Sequence, residues 1–140
     1  MCAWMAACPA AQYEDVSNEH KYVHLIGKKY ATLAELVVHG INYDKDFKKV
    51  TQEYVVTNKP GMAGRGVVER GLLRPGATVT VHKVLECTSC SYSSIKYIVS
   101  VEPPLPNPTI PISLESIGKE SVVIDTDGRV TMNPALFVAQ

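Results

Sequence analysis

Hydrophobic and polar positions alternate through most of the second half of this chain. In SSIKYIVSVE (93–102), Ile95, Tyr97, Val99 and Val101 share one face, and Lys96, Ser100 and Glu102 the other. That is the two-residue period of a half-buried strand. ATVTVHKVLEC (77–87) reads as a long strand with Val79 and Val81 inward, and the two strands are expected to form a hairpin across a cysteine-bearing loop. VVERGLL (67–73) is a shorter strand. Arg74-Pro75-Gly76 after it suits a type II turn, with Pro fixing φ at the second position and Gly supplying a positive φ at the third. TIPISLE (109–115) alternates Ile110, Ile112 and Leu114, and SVVIDTDGRVTM (121–132) predicts a hairpin with Asp127-Gly128 in a type I′ tip. Between them, PPLPNPTIP (103–111) holds five prolines, must be extended, and is expected to cross from one sheet to another.

The first half is less regular. KYVHLIG (21–27) alternates and predicts a strand. Thr32 and Glu35 have the spacing of a capping box, and Leu33, Leu36 and Val37 share a helical face before Gly40, so a short helix is expected over 32–39. Phe47, Val50 and Tyr54 form a second helical stripe over 44–53, although EYVVT (53–57) also fits a strand. NKPGMAGRG (58–66) is a loop, punctuated by Pro60 and three glycines.

These elements add up to a mainly β fold, a β-sandwich or partly open barrel of about seven strands with one or two short helices over 32–39 and 44–53. The organisation expected is a single β-rich domain, residues 21–132, between an N-terminal arm (1–20) and a C-terminal tail (133–140). The full sequence has 140 residues, enough for one hydrophobic core.

Charge removes some functions. Fourteen Lys and Arg balance fourteen Asp and Glu, and residues 1–60 and 61–140 each hold seven of either sign. No half is basic enough to make nucleic acid the main partner. No apolar run reaches membrane-spanning length. A neutral chain is poorly protected against self-association. Trp4 and Met5 near the start, and Leu136, Phe137 and Val138 near the end, are apolar and lie outside the predicted strands. They are the expected interface residues.

Candidate chemistry is sparse. Cys87-Thr-Ser-Cys90 is a CxxC that could complete a four-thiolate zinc site with Cys2 and Cys8, although the first pair is spaced Cx5C. Reduced thiols are the starting expectation for the cysteines. His20 and His24 are too far apart on a strand to chelate. The Asp125-Thr126-Asp127-Gly128 run resembles the Asp-Thr-Gly turn of retroviral-type aspartic proteases with an extra Asp, but a hairpin tip accounts for every residue of it. No nucleophile-elbow or oxyanion-loop signature occurs, and no enzymatic activity is expected.

Gly64, Arg65, Val68, Glu69, Gly71, Leu73, Arg74, Gly76 and Val79 fall near a pattern of glycines, Val-Glu and Leu-Arg. The stretch resembles part of the second, β-barrel domain of translation elongation GTPases. The likeness covers about 16 of 140 residues, its order is compressed, and no P-loop occurs. What it implies is a strand, a Pro-Gly turn and a strand. Arg65, Arg70 and Arg74 would then be candidates to meet phosphate.

The expected function is therefore that of a structural subunit of a homo-oligomer, of the kind found as a virus or phage capsid or decoration protein. It would be assembled in the host cytoplasm, with no cofactor, and with copies of itself or other virion proteins as partners. The alternative is a small cytoplasmic β-barrel module for RNA or a ribosome-like partner, using Arg65, Arg70 and Arg74, with zinc on the four cysteines.

Overall fold

A computed structural model describes residues 12–42, 50, 52–61, 63–64, 66–91, 93–115 and 121–140. These residues are mainly β and contain no α-helix. Nine strands join one sheet: β1 (Tyr13–Asp15), β2 (Lys29–Thr32), β3 (Leu36–Ile41), β4 (Glu53–Thr57), β5 (Val67–Leu73), β6 (Thr78–Cys87), β7 (Ile95–Glu102), β8 (Ile112–Glu115) and, from the chain's end, β11 (Phe137–Ala139). Their order is β11-β2-β6-β7-β8-β4-β3-β5, with β1 also on β6. β9 (Val122–Ile124) and β10 (Val130–Met132) form a separate hairpin.

The sheet is curled, and its register shows how. Lys29 pairs with Thr80 and Ala31 with Thr78, while Leu36 pairs with Leu73 and Val37 with Leu72. No residue is gained or lost on either side between these pairs. β2 and β3 are thus one long strand, β5 and β6 another, and the two form a single antiparallel ribbon bent at 33–35 and 74–77. The bend itself is bonded: Thr32 N donates to Ala77 O at 2.9 Å and Gly76 N to Thr32 O at 2.8 Å. One arm of the ribbon lies near one end of the strand order and the other arm at the opposite end. The open sheet therefore wraps around a shared core, as in a partly open barrel.

Alternation fills that core. Val79, Val81, Val56 and Val84 are fully buried, and Tyr54, Tyr97, Val99, Val101 and Leu114 nearly so, all in one cluster. On β6 the inward spacing changes from two residues to three between Val81 and Val84. The extra residue is a β-bulge at His82, where Val81 pairs with Val99 but Lys83 with Ile98.

The helix expected over 32–39 is instead the end of β2, the bend and most of β3. The Thr32 hydroxyl does not cap a helix. It donates to Arg74 O at 3.0 Å and accepts from Ala77 N at 3.1 Å across the bend. All six residues of β3 are buried, because both its faces are covered. A run buried on two faces has lost the alternation that would distinguish strand from helix. Of the second expected helix, 44–53, residues 44–49 and 51 lie outside the described residues, Gln52 is in a bend, and Glu53 opens β4.

Residues 21–27 are not a strand either. They form turns around one 3₁₀ turn, Val23–Leu25, that inserts Tyr22 and Leu25 into the core, three residues apart, while Val23 stays exposed. The tip of the β9–β10 hairpin also differs from expectation. Only Gly128 there has a positive φ, 78°, and Asp125 N bonds Arg129 O at 2.8 Å. A type I′ turn needs positive φ at both central residues, so this is the longer type I turn with a glycine bulge. Asp125 Oδ1 accepts from Asp127 N and Arg129 N at 2.9 Å each. The proline-rich crossover links β7 to its immediate neighbour β8 within one sheet.

Candidate functional site

The strand order leaves β5 at one end of the sheet. Among the described residues its one ladder partner is β3. Ile41 O faces β4, where it accepts from Gln52 N, and Asn42 N faces β5, where it donates to Gly66 O at 2.9 Å. Backbone groups alternate along a strand, so Leu36, Val38 and Gly40 direct theirs at β5, opposite Leu73, Gly71 and Glu69. The main-chain N–H and C=O of Arg70 and Leu72 then point off the sheet.

Leu72 is 57% exposed on this edge. The cause is local: two leucines end the strand, Leu73 faces the core, and its neighbour must face out. Grooves flank Leu72 on both sides. One, about 500 Å³, runs between the 74–77 bend and Pro103, Pro104, Leu105 and Pro106 of the crossover. The other, about 330 Å³, is lined by Val37, Lys59, Pro60, Arg70 and Gly71.

A tight turn builds the second groove. Gly61 N bonds Asn58 O at 3.0 Å, Lys59 pairs with Glu35, and Arg70 Nη2 donates to Pro60 O at 2.9 Å. Gly61 has φ +86°, and a Cβ there would lie 2.7 Å from His39 Nε2 and 3.0 Å from Arg70 Nη2. The turn therefore rests directly on the buried His39. His39 Nδ1 meets Val55 O at 3.0 Å. Burial holds the His39 pKa below the usual imidazole value, and the Arg70 charge adds to this against the Val55 contact.

The expected sites fare differently. Arg70 and Arg74 sit on the β5 edge and its bend, with Arg70 already engaged by Pro60, while Arg65 lies outside the described residues. Cys87 and Cys90 are joined by a disulfide across the β6–β7 tip rather than free as thiols. In this form neither sulfur is a thiolate for zinc; Cys2 and Cys8 lie outside the described residues. Among the described residues no three metal-binding side chains cluster, and no helix is long and apolar enough to cross a membrane.

The C-terminal residues are not a free arm. Leu136 and Phe137 are buried in the chain's own core, Leu136 O accepts from Leu33 N at 2.7 Å, and β11 pairs with β2. Val138 is 48% exposed. Within the expected N-terminal arm, 12–20 belong to the body: β1 pairs with β6, and Val16 is in the core. Trp4 and Met5 lie outside the described residues.

A third, more polar groove of about 430 Å³ lies over β6 and β7 and includes Lys29, Thr80, Glu102 and Gln140. His82 Nε2 and Ser100 Oγ are 2.8 Å apart there, brought face to face by the bulge. A serine within reach of a histidine is half of a nucleophile's arrangement. Among the described residues no hydrogen bond orients the other ring nitrogen, so the pair is read as a cross-strand contact.

Sequence reasoning missed Leu72, Pro60 and Val37 as a surface. The Leu-Leu pair ending β5 was the available signal. No family model, curated protein or solved structure matches the chain.

Proposed function

We propose that this chain is a structural subunit that assembles with copies of itself, of the kind that builds a virion shell or decorates one. The observation that carries this reading is the seven-residue β5 edge, with outward main-chain groups at Arg70 and Leu72, an exposed Leu72 and apolar grooves on both sides. Soluble proteins normally shield such edges, because unpaired N–H and C=O groups recruit another strand. The balanced charge of the chain, fourteen of each sign, gives no long-range repulsion between copies. Size-exclusion chromatography with light scattering tests it. Assembly above the 15.3 kDa of one chain is expected, and a monomer at all concentrations refutes it.

A second reading draws on Arg70 and Arg74, which lie on the same edge and bend in the strand–turn–strand that the elongation-factor resemblance implies. It is an RNA- or ribosome-binding module, with zinc available only to reduced cysteines. Retention of RNA that weakens steeply with added salt would favour it over self-assembly.

A further inference from the structure

We infer that residues 1–8 of a second copy add to β5 as an extra strand, seating Trp4 and Met5 in the two grooves beside Leu72. This rests on the self-assembly reading and names its contact. A strand added to an edge binds through main-chain hydrogen bonds, and its side chains alternate into pockets on either face. β5 offers both: outward main-chain groups at Arg70 and Leu72, and grooves of about 500 and 330 Å³ that share Leu72.

The segment MCAWMAAC (1–8) matches these demands. It carries no charged side chain and no proline. As a strand it puts Cys2, Trp4 and Ala6 on one face, and Met1, Ala3, Met5 and Ala7 on the other. One face thus presents Trp4 among Cys2, Ala6 and Cys8, and the other presents Met5 between Ala3 and Ala7 with Met1 at the strand's start, so that Trp4 and Met5 are the central bulky side chains of the two faces.

One other occupant fits less well. Two β5 edges fully overlapped about a two-fold axis set Arg70 against its own equivalent, and like charges directly opposite are destabilising. The chain's own arm is the competing occupant. Gln12 is tied to the end of β6, where its N meets Ser89 Oγ and its O accepts from Thr88 N, each at 2.8 Å. The strand pairings place Leu72 level with Leu85, about 24 Å away across the sheet, and the eight residues from Trp4 to Gln12 span up to about 29 Å. The assembly states of the full and truncated chains tell the two occupants apart.

Trp4 is the single tryptophan, so a chain lacking residues 1–11 has none. That truncated chain keeps every described strand, and circular dichroism checks its fold. A synthetic peptide of residues 1–11, with Ser in place of both cysteines, is titrated with it while tryptophan anisotropy and emission wavelength are followed. Saturable binding with a blue shift is expected. Leu72→Lys, a change at an exposed position, should weaken it at least tenfold. Leu72→Pro, which removes an outward N–H while sparing the β3 ladder, should do the same.

A peptide that does not bind, or that binds Leu72→Lys equally well, overturns the inference. Assembly of the truncated chain as complete as that of the full chain also overturns it, while leaving self-assembly standing through another surface. A full chain that stays monomeric while the peptide binds at Leu72 supports the edge site and refutes the assembly reading instead.

Discussion

Gly61→Ala is the sharpest test of how the Asn58–Gly61 turn is held on the sheet. Two costs add. Gly61 sits at φ +86°, where an L side chain is disfavoured by about 1–2 kcal/mol. The new methyl would also lie 2.7 Å from His39 Nε2, 3.0 Å from Arg70 Nη2 and 3.0 Å from Val37 Cγ1. Arg70 can swing away, but His39 is fully buried and Val37 nearly so, and overpacking of that kind costs about 1–3 kcal/mol. The expected loss is about 2–5 kcal/mol, a fall in the urea midpoint on the order of 1–2.5 M at a slope of about 2 kcal/mol/M.

Two glycines separate the terms. Gly76 has φ +89° and open space, so Gly76→Ala should show the backbone cost alone, about 1–2 kcal/mol. Gly71 has neither a positive φ nor a neighbour within 4 Å. Gly71→Ala should be neutral or stabilising by up to about 1 kcal/mol. Equilibrium urea unfolding followed by far-UV circular dichroism reads all three. If Gly61→Ala falls within about 0.5 kcal/mol of Gly71→Ala, the turn does not rest on His39 as described.

Three further outcomes are expected. Burial lowers the native pKa of His39 from 6.5, so the unfolded chain takes up the proton first. Stability should be complete above about pH 6.5 and fall as the pH drops below it, and His39→Gln should flatten that slope in urea midpoints measured from pH 7.5 to 5. The residual slope would come from His24, also lowered by burial. Phe137→Ala should cost about 3–5 kcal/mol because the ring is in the core, while Val138→Ala should stay within about 0.5 kcal/mol, both read by thermal unfolding. Reducing the Cys87–Cys90 bridge should cost about 2 kcal/mol by loop-closure entropy for so short a loop, seen as a lower urea midpoint with reductant present.

Legibility of the fold followed exposure. β6 and β7 were readable because one face meets the core and the other meets water, which writes a two-residue period into the chain; β8 was readable because a small polar Ser113 alternates with Ile112 and Leu114, although Ser113 is itself buried. β3 was misread because LVVHGI is covered on both faces. Thr32 and Glu35 look like a capping box, but both side chains are spent on distant partners, Arg74 and Ala77 for one and Lys59 for the other. The same holds for the candidate site. Arg70 and Arg74 were found as charges, yet the feature that makes the edge a surface, Leu72 facing out between Pro60 and Leu105, depends on segments twelve and thirty-three positions away from it.

What the sequence alone determined is the class of fold and the chemistry at hand: alternating strands, glycines at the turns, balanced charge and an uncharged N-terminal segment. These follow from local sterics and from which side chains avoid water. Only the tertiary structure decided that β2–β3 and β5–β6 form one bent ribbon, that Leu136 and Phe137 belong to the core, and that β5 is left at an edge among the described residues. Strand pairing joins residues far apart in the chain, and no local pattern states which edge remains unpaired.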